Sequence, residues 1–72
     1  MQLSMQEYLN DWVHGHRNGA GGRLYFAIND DLPHGQLIDI PQQGELVAVM
    51  NWSLFIIVAE ICHRHGVKLV QV

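Results

Sequence analysis

The chain has a single cysteine, Cys62, and only 15% of its 72 residues carry charge. One cysteine excludes a disulfide within the chain, and it is more typical of a reducing compartment than of a secreted scaffold. Low charge together with 49% apolar residues excludes disorder, which needs low hydrophobicity and high net charge. The first residues lack the basic region and apolar stretch of a secretory signal. We therefore expect one folded, cytoplasmic domain spanning residues 1–72.

Basic residues are scarce as well. Four Lys and Arg residues stand against seven Asp and Glu residues, which gives a formal net charge of −3 and a pI near 5.8. Nucleic-acid binders place a basic face against the phosphates, and four scattered cations can neutralise few of them. The composition therefore predicts no nucleic-acid binding.

The N-terminal segment has the pattern of an amphipathic helix. Ser4 and Glu7 have the spacing of a capping box, in which each residue can bond the backbone of the other. Apolar residues then recur three and four positions apart, and Gly15 can end the helix. We predict a helix over residues 4–14, whose apolar face is formed by Met5, Tyr8, Leu9, Trp12 and Val13.

Two strands and a turn are predicted next. Residues 23–29 contain two aromatic residues and nearly no polar interruption, which predicts a strand buried on both faces. The following Asn, Asp, Pro and Gly residues are typical of a turn. Residues 36–40 predict a short second strand, paired with the first as a hairpin.

The segment after Pro41 is the most apolar part of the chain. Pro41 suits the first turn of a helix and Gly66 suits its C-terminal cap, so we favour a long helix over residues 42–65. In a competing interpretation, residues 45–50 form a third strand and Asn51 caps a shorter helix. Residues 67–72 alternate between apolar and polar side chains and predict a final strand.

These elements predict an α+β fold in the order α-β-β-α-β, with a mainly antiparallel three-stranded sheet packed on the long apolar helix. A domain of this size buries only about 60% of its unfolded surface, and such domains often need a partner chain or a metal. The long helix has more apolar surface than this sheet can cover, and large exposed patches mark interaction sites. We therefore expect a homodimer, or binding to a larger protein, through Asn51, Trp52, Leu54, Ile57, Val58 and Ile61.

Two roles for Asn51 stay open: it could fix the register of an apolar interface, or it could be satisfied within its own chain. The apolar run from Leu46 to Cys62 also raises a membrane anchor as a lesser alternative. Its 17 residues reach only the lower end of the spanning range of about 17–25, and Asn51 and Ser53 lie mid-span. We expect no membrane insertion.

Five histidines suggest a zinc site as a further alternative, because imidazole and thiolate ligands suit zinc. The spacing is not that of a metal motif, and neighbouring helical residues point about 100° apart. Imidazoles near a helix C-terminus also interact favourably with its dipole without any metal. We expect no cofactor; a zinc-stabilised accessory domain would use the weak candidates Cys62, His63, His65, His14 and His16.

No catalytic constellation is predicted. Cys62 and His63 are turned apart on a helix, and Asp30 and Asp31 have the context of a turn. The glycine-rich loop before the first strand lacks the Lys and Ser or Thr of a phosphate-binding loop. We therefore expect a small acidic, non-enzymatic protein-binding module, acting as an inhibitor or modulator of the kind carried by phages and mobile elements.

Overall fold

The computed structural model describes residues 4–19, 22–33, 35–40 and 47–72 of the chain. Within these ranges the chain forms two helices and four strands, which confirms the α+β class. In chain order the elements are α1 (Met5–Gly19), β1 (Arg23–Ile28), β2 (Ile38–Asp39), β3 (Ala48–Met50), α2 (Trp52–His65) and β4 (Lys68–Gln71). The predicted strands 23–29, 36–40 and 67–72 are therefore present in shorter form, and β3 is additional to them.

The four strands form one mixed sheet in the order β2-β3-β1-β4. Strand β1 lies between β3 and β4 and is parallel to both, whereas β2 is antiparallel to β3. The predicted three-stranded, mainly antiparallel sheet is therefore wrong, and so is the predicted hairpin of β1 with β2. The turn after β1 does bring the chain back, but β3 occupies the place beside β1 and separates the two predicted partners.

The long helix over residues 42–65 is also wrong, and the competing interpretation with a third strand is confirmed. Asn51 has an extended backbone with φ −83° and ψ 170°, and its Oδ1 accepts a hydrogen bond from the backbone N–H of Leu54 at 2.9 Å. The side chain therefore caps a 14-residue helix that begins at Trp52. Residues 42–46 of the predicted helix lie outside the described residues. Gly66, at φ 69°, caps the other end as predicted.

Helix α1 begins at the predicted capping box. The Oγ of Ser4 accepts a hydrogen bond from the backbone N–H of Glu7 at 3.1 Å, and it lies 3.2 Å from the Glu7 carboxylate. These two side chains hold the exposed first turn of α1, which is the usual role of a capping box.

Gly15 does not end α1, which continues to Gly19. A glycine inside a helix costs about 1 kcal/mol relative to alanine, so an isolated one is tolerated where the next turn is held by other contacts. Here His16 stacks on Trp12 at 4.0 Å between ring centroids and lies 3.2 Å from the Asp39 carboxylate. The contact with β2 fixes the turn that follows the glycine.

Both described helices pack on the same face of the sheet. Asp39 is paired with Ala48, and Ala48 is paired with Phe26, so the three side chains share one face. Trp12 of α1 bonds Asp39, and Phe55 of α2 packs on Phe26 with ring centroids 4.8 Å apart. The core between sheet and helices consists of Leu9, Trp12, Val13, Leu24, Phe26, Ala48, Met50, Leu54, Val58, Ile61, Cys62 and Val67.

No helix within the described ranges is long and apolar enough to cross a membrane. The apolar run that raised this alternative is divided at Asn51, where a strand ends and α2 begins. Its apolar residues are thus shared between the sheet and a helix that packs on it.

Candidate interaction surfaces

Three of the predicted interface residues lie in the core of their own chain. Leu54, Val58 and Ile61 are buried on the face of α2 that packs against the sheet and α1. Because α2 begins only at Trp52, its apolar stripe contains fewer residues than the one predicted for a 42–65 helix. These three side chains are therefore not available to a second chain in the folded domain.

Asn51 is satisfied within its own chain. Besides capping α2 with its Oδ1, it donates from Nδ2 to the carbonyl oxygens of Pro33 at 3.1 Å and Leu32 at 3.4 Å. The residue is buried, and buried polar groups need such partners. Of the two roles that the sequence left open, the structure places Asn51 in the intrachain one, as the tie between the turn after β1 and the start of α2.

Trp52 and Ile57 have different surroundings from the other predicted interface residues. Trp52 is 51% exposed and packs edge-to-face with Phe55, at 5.4 Å between ring centroids. Ile57 is partly buried against the core. Ile56, one turn after Trp52, is 66% exposed. The outer surface of α2 thus presents two large apolar side chains, Trp52 and Ile56.

The weak zinc candidates are not gathered into one site. Among the described residues no group of three or more His, Cys, Asp or Glu side chains could hold a metal ion. Burial raises the pKa of Cys62 to about 11, so the thiolate form that binds metals is disfavoured. The rings of His14 and His65 lie 6.4 Å apart, and Nε2 of His65 lies 2.7 Å from the Oδ1 of Asn10. His63 is exposed on α2.

His16, the fifth candidate, belongs to a polar network between α1 and β2. Its Nδ1 lies 2.7 Å from the carbonyl oxygen of Trp12, and its Nε2 lies 3.2 Å from Oδ1 of Asp39. The same carboxylate oxygen accepts a hydrogen bond from the indole N–H of Trp12 at 2.9 Å. Both ring nitrogens thus face oxygen atoms of their own chain. The network fastens α1 to the edge of the sheet.

The face of the sheet opposite the helices is lined by apolar side chains. Side chains alternate between the two faces of a strand, so Leu24 and Phe26 point to the helices while Tyr25 and Ala27 point away. The strand pairing places Ile38 of β2, Val49 of β3, and Lys68 and Val70 of β4 on that second face, together with Arg23 of β1. We call the apolar part of this surface the open face, and it consists of Tyr25, Ala27, Ile38, Val49 and Val70, all partly buried.

The two ends of the sheet carry opposite charges. Arg23 and Lys68 are register partners where β1 and β4 begin, and both are exposed. Asp30 and Asp31 lie in the turn directly after β1, at the other end of the sheet, and are exposed as well. Between described residues, none of these four side chains forms an ion pair.

Sequence reasoning missed the open face, although a signal for it was present. The run of apolar residues in β1 predicted a strand buried on both faces, which is the usual situation of a strand with parallel neighbours on each side. In the described part of the chain, α1 and α2 cover only one of these faces. Neither helix of the described ranges provides the second cover that this pattern predicts.

No family model, curated protein or solved structure matches this chain. Its function must therefore be argued from its own surfaces. The open face offers apolar contact area, with the Tyr25 hydroxyl as its one polar group, so its chemistry suits binding to another apolar surface.

Proposed function

We propose that this chain is a non-enzymatic protein-binding module that docks on another protein chain through the open face. The observation that carries the proposal is a sheet with helices on one face and five apolar side chains on the other. Transfer of such side chains out of water contributes about 25 cal/mol per Å² of apolar surface. A protein surface that covers them would place a second layer against β1.

Tyr25 is the residue of the open face best suited to anchor a partner. It lies on β1, with β3 and β4 on either side, and it is paired with Val70. Tyrosine is enriched among the residues that dominate interface energetics, because its ring buries a large apolar area and its hydroxyl can still bond at the rim. Ala27, two residues further along β1, has a small side chain, which leaves a shallow depression beside the ring of Tyr25.

The open face is small, which sets the expected strength of binding. Four strands spaced about 4.8 Å apart give a width of about 14 Å, and β1, the longest strand, has a length of about 20 Å for its six residues. The other strands have only two to four residues, so the face covers less than about 280 Å². Stable interfaces bury about 800 Å² on each partner, so this face is well below that size. We expect reversible association with a Kd in the micromolar range.

Site-specific cross-linking tests the proposal. A photoreactive phenylalanine derivative replaces Tyr25, and the same group replaces Glu60 on the exposed surface of α2 as a matched control. Irradiation of cells that make the protein is expected to yield a cross-linked product from position 25 and not from position 60. No product from position 25, or equal products from both positions, would contradict docking through the open face.

Inhibition or modulation of a larger protein stays a prediction from the sequence. Trp52 and Ile56 lie on the helical side of the domain, whereas the open face lies on the other side of the sheet. A larger protein could therefore contact the outer surface of α2 while the open face is occupied. We propose this surface as the place where such a partner would bind.

A further inference from the structure

We infer that the chain occupying the open face is a second copy of this protein. The two copies stack sheet on sheet, related by a two-fold axis across the strands, so that their β1 strands run antiparallel. This inference rests on the docking function proposed above and adds the identity of the partner.

The charges at the two ends of the sheet favour this arrangement. Arg23 and Lys68 lie at one end, and Asp30 and Asp31 lie at the other. A two-fold axis across the strands brings the basic end of each copy against the acidic end of the other, at both ends of the interface. Stacking with parallel strands would instead bring like charges together. Exposed ion pairs add little affinity, so the charges select the orientation while the apolar side chains provide the binding.

The sizes of the side chains on β1 fit the same arrangement. Reversal of β1 about the position of Phe26 places Tyr25 of one copy opposite Ala27 of the other, and the reverse contact is made by symmetry. Packed sheets lie about 10 Å apart, and a large side chain then needs a small one opposite it. Val49 and Val70, on the strands beside β1, extend the contact on either side.

The arrangement closes on itself. Each copy uses its single open face against the same face of the other copy, so association ends at the dimer and does not continue into a filament. Dimerisation also covers the apolar layer that a 72-residue chain leaves exposed, which is a common way for small domains to gain stability.

Charge-reversed variants test the orientation directly. Arg23→Glu with Lys68→Glu makes both ends of the sheet acidic, and Asp30→Lys with Asp31→Lys makes both ends basic. Each double variant alone is expected to dimerise at least tenfold more weakly than the wild type in sedimentation equilibrium at low salt. An equimolar mixture is expected to regain wild-type affinity, because both ends are then complementary. Unchanged affinity of the separate variants, or no recovery on mixing, would overturn the antiparallel arrangement.

The mass of the purified wild-type protein tests whether the partner is a second copy at all. The weight-average mass is expected to rise from 8.2 kDa towards twice that value as the concentration increases from about 1 μM to about 1 mM. In a mixture of isotope-labelled and unlabelled copies, an intermolecular contact between the Tyr25 ring and the Ala27 methyl group is expected. A mass of 8.2 kDa at every concentration would overturn the inference.

The cross-link from position 25 separates failure of this inference from failure of the docking function. A product of twice the chain mass supports both. A product of any other mass overturns the second copy and keeps docking on a protein. Absence of a product overturns docking through the open face.

Discussion

The indole N–H of Trp12 donates a hydrogen bond to Oδ1 of Asp39 at 2.9 Å, across 27 positions of sequence. This bond, with the His16 ring beside it, links the second half of α1 to the short edge strand β2. We expect Asp39→Ala to lower the free energy of unfolding by about 1 kcal/mol, because the partly buried indole N–H of Trp12 loses its acceptor. The cost is modest because the Asp39 carboxylate is itself half exposed. Urea denaturation measures this, with Asp11→Ala as the exposed-carboxylate control.

A double-mutant cycle of Trp12→Phe with Asp39→Ala isolates the bond from other effects of each change. If the two substitutions act additively, the link between α1 and β2 contributes nothing to stability.

Asn51 joins the start of α2 to the turn after β1. We expect Asn51→Ala to cost about 2 kcal/mol, since it removes a helix cap and leaves buried backbone groups without partners. Asn51→Ser keeps a neutral capping oxygen and loses the amide donor, so its cost should be smaller and hydrogen exchange should increase in residues 30–32. Ser53→Ala, on the exposed first turn of α2, serves as the control and should change stability by less than about 0.5 kcal/mol. Equal costs for the Ala and Ser variants would contradict the two-part role.

Replacing two glycines with alanine should change the stability of the domain in opposite directions. Gly66 has φ 69°, which alanine adopts at a cost of about 1 kcal/mol, so Gly66→Ala should destabilise the domain. Gly15 lies inside α1 with open space where a Cβ would be, so Gly15→Ala should stabilise by about 0.5–1 kcal/mol. Thermal unfolding of both variants checks this, and two shifts of the same sign would show that one of the environments is misassigned.

Cys62 should make the domain less stable in alkali. Burial raises the pKa of its thiol from the ordinary 9.0 to about 11, so the folded state holds the proton more tightly than the unfolded state. The contribution of the neutral thiol to the free energy of unfolding is fully present below pH 9. It is lost as the pH rises towards 11, by about 2–3 kcal/mol in total.

The difference in unfolding free energy between wild type and Cys62→Ala, followed from pH 8 to 11, measures this loss while other titrating groups cancel. The folded protein should also react slowly with a thiol reagent at pH 8. Fast reaction, or a difference that does not change with pH, would contradict a buried neutral thiol.

Local patterns in the sequence predict those elements whose signals are local. The capping box at Ser4 and the helix-ending glycine at Gly66 were both recognised because each acts on its own neighbours. The start of α2 was not decided by the sequence: Asn51 can cap a helix only if the residues before it leave the helical conformation, and the pairing of β3 with β1 provides that.

Strand pairing could not be predicted, because it joins residues far apart in the chain. A turn after β1 suggested a hairpin, yet Ala48 is the residue that pairs with Phe26. The same missing information affected α2. An overlong α2 assigned Leu54 and Val58 to an interface, whereas both are buried in the core of their own chain. The pairing of β3 with β1 places Tyr25 and Val49 on the open face, which no local pattern indicated.

The dependence of mass on concentration, compared between Val70→Lys and Ile56→Lys, tests the central claim most directly. Val70 is part of the open face, and Ile56 is 66% exposed on the outer surface of α2, so both changes place a lysine outside the core. Sedimentation equilibrium is expected to show that Val70→Lys stays at 8.2 kDa while Ile56→Lys associates like the wild type, with both variants folded by circular dichroism. Association of Val70→Lys equal to that of the wild type would contradict the account.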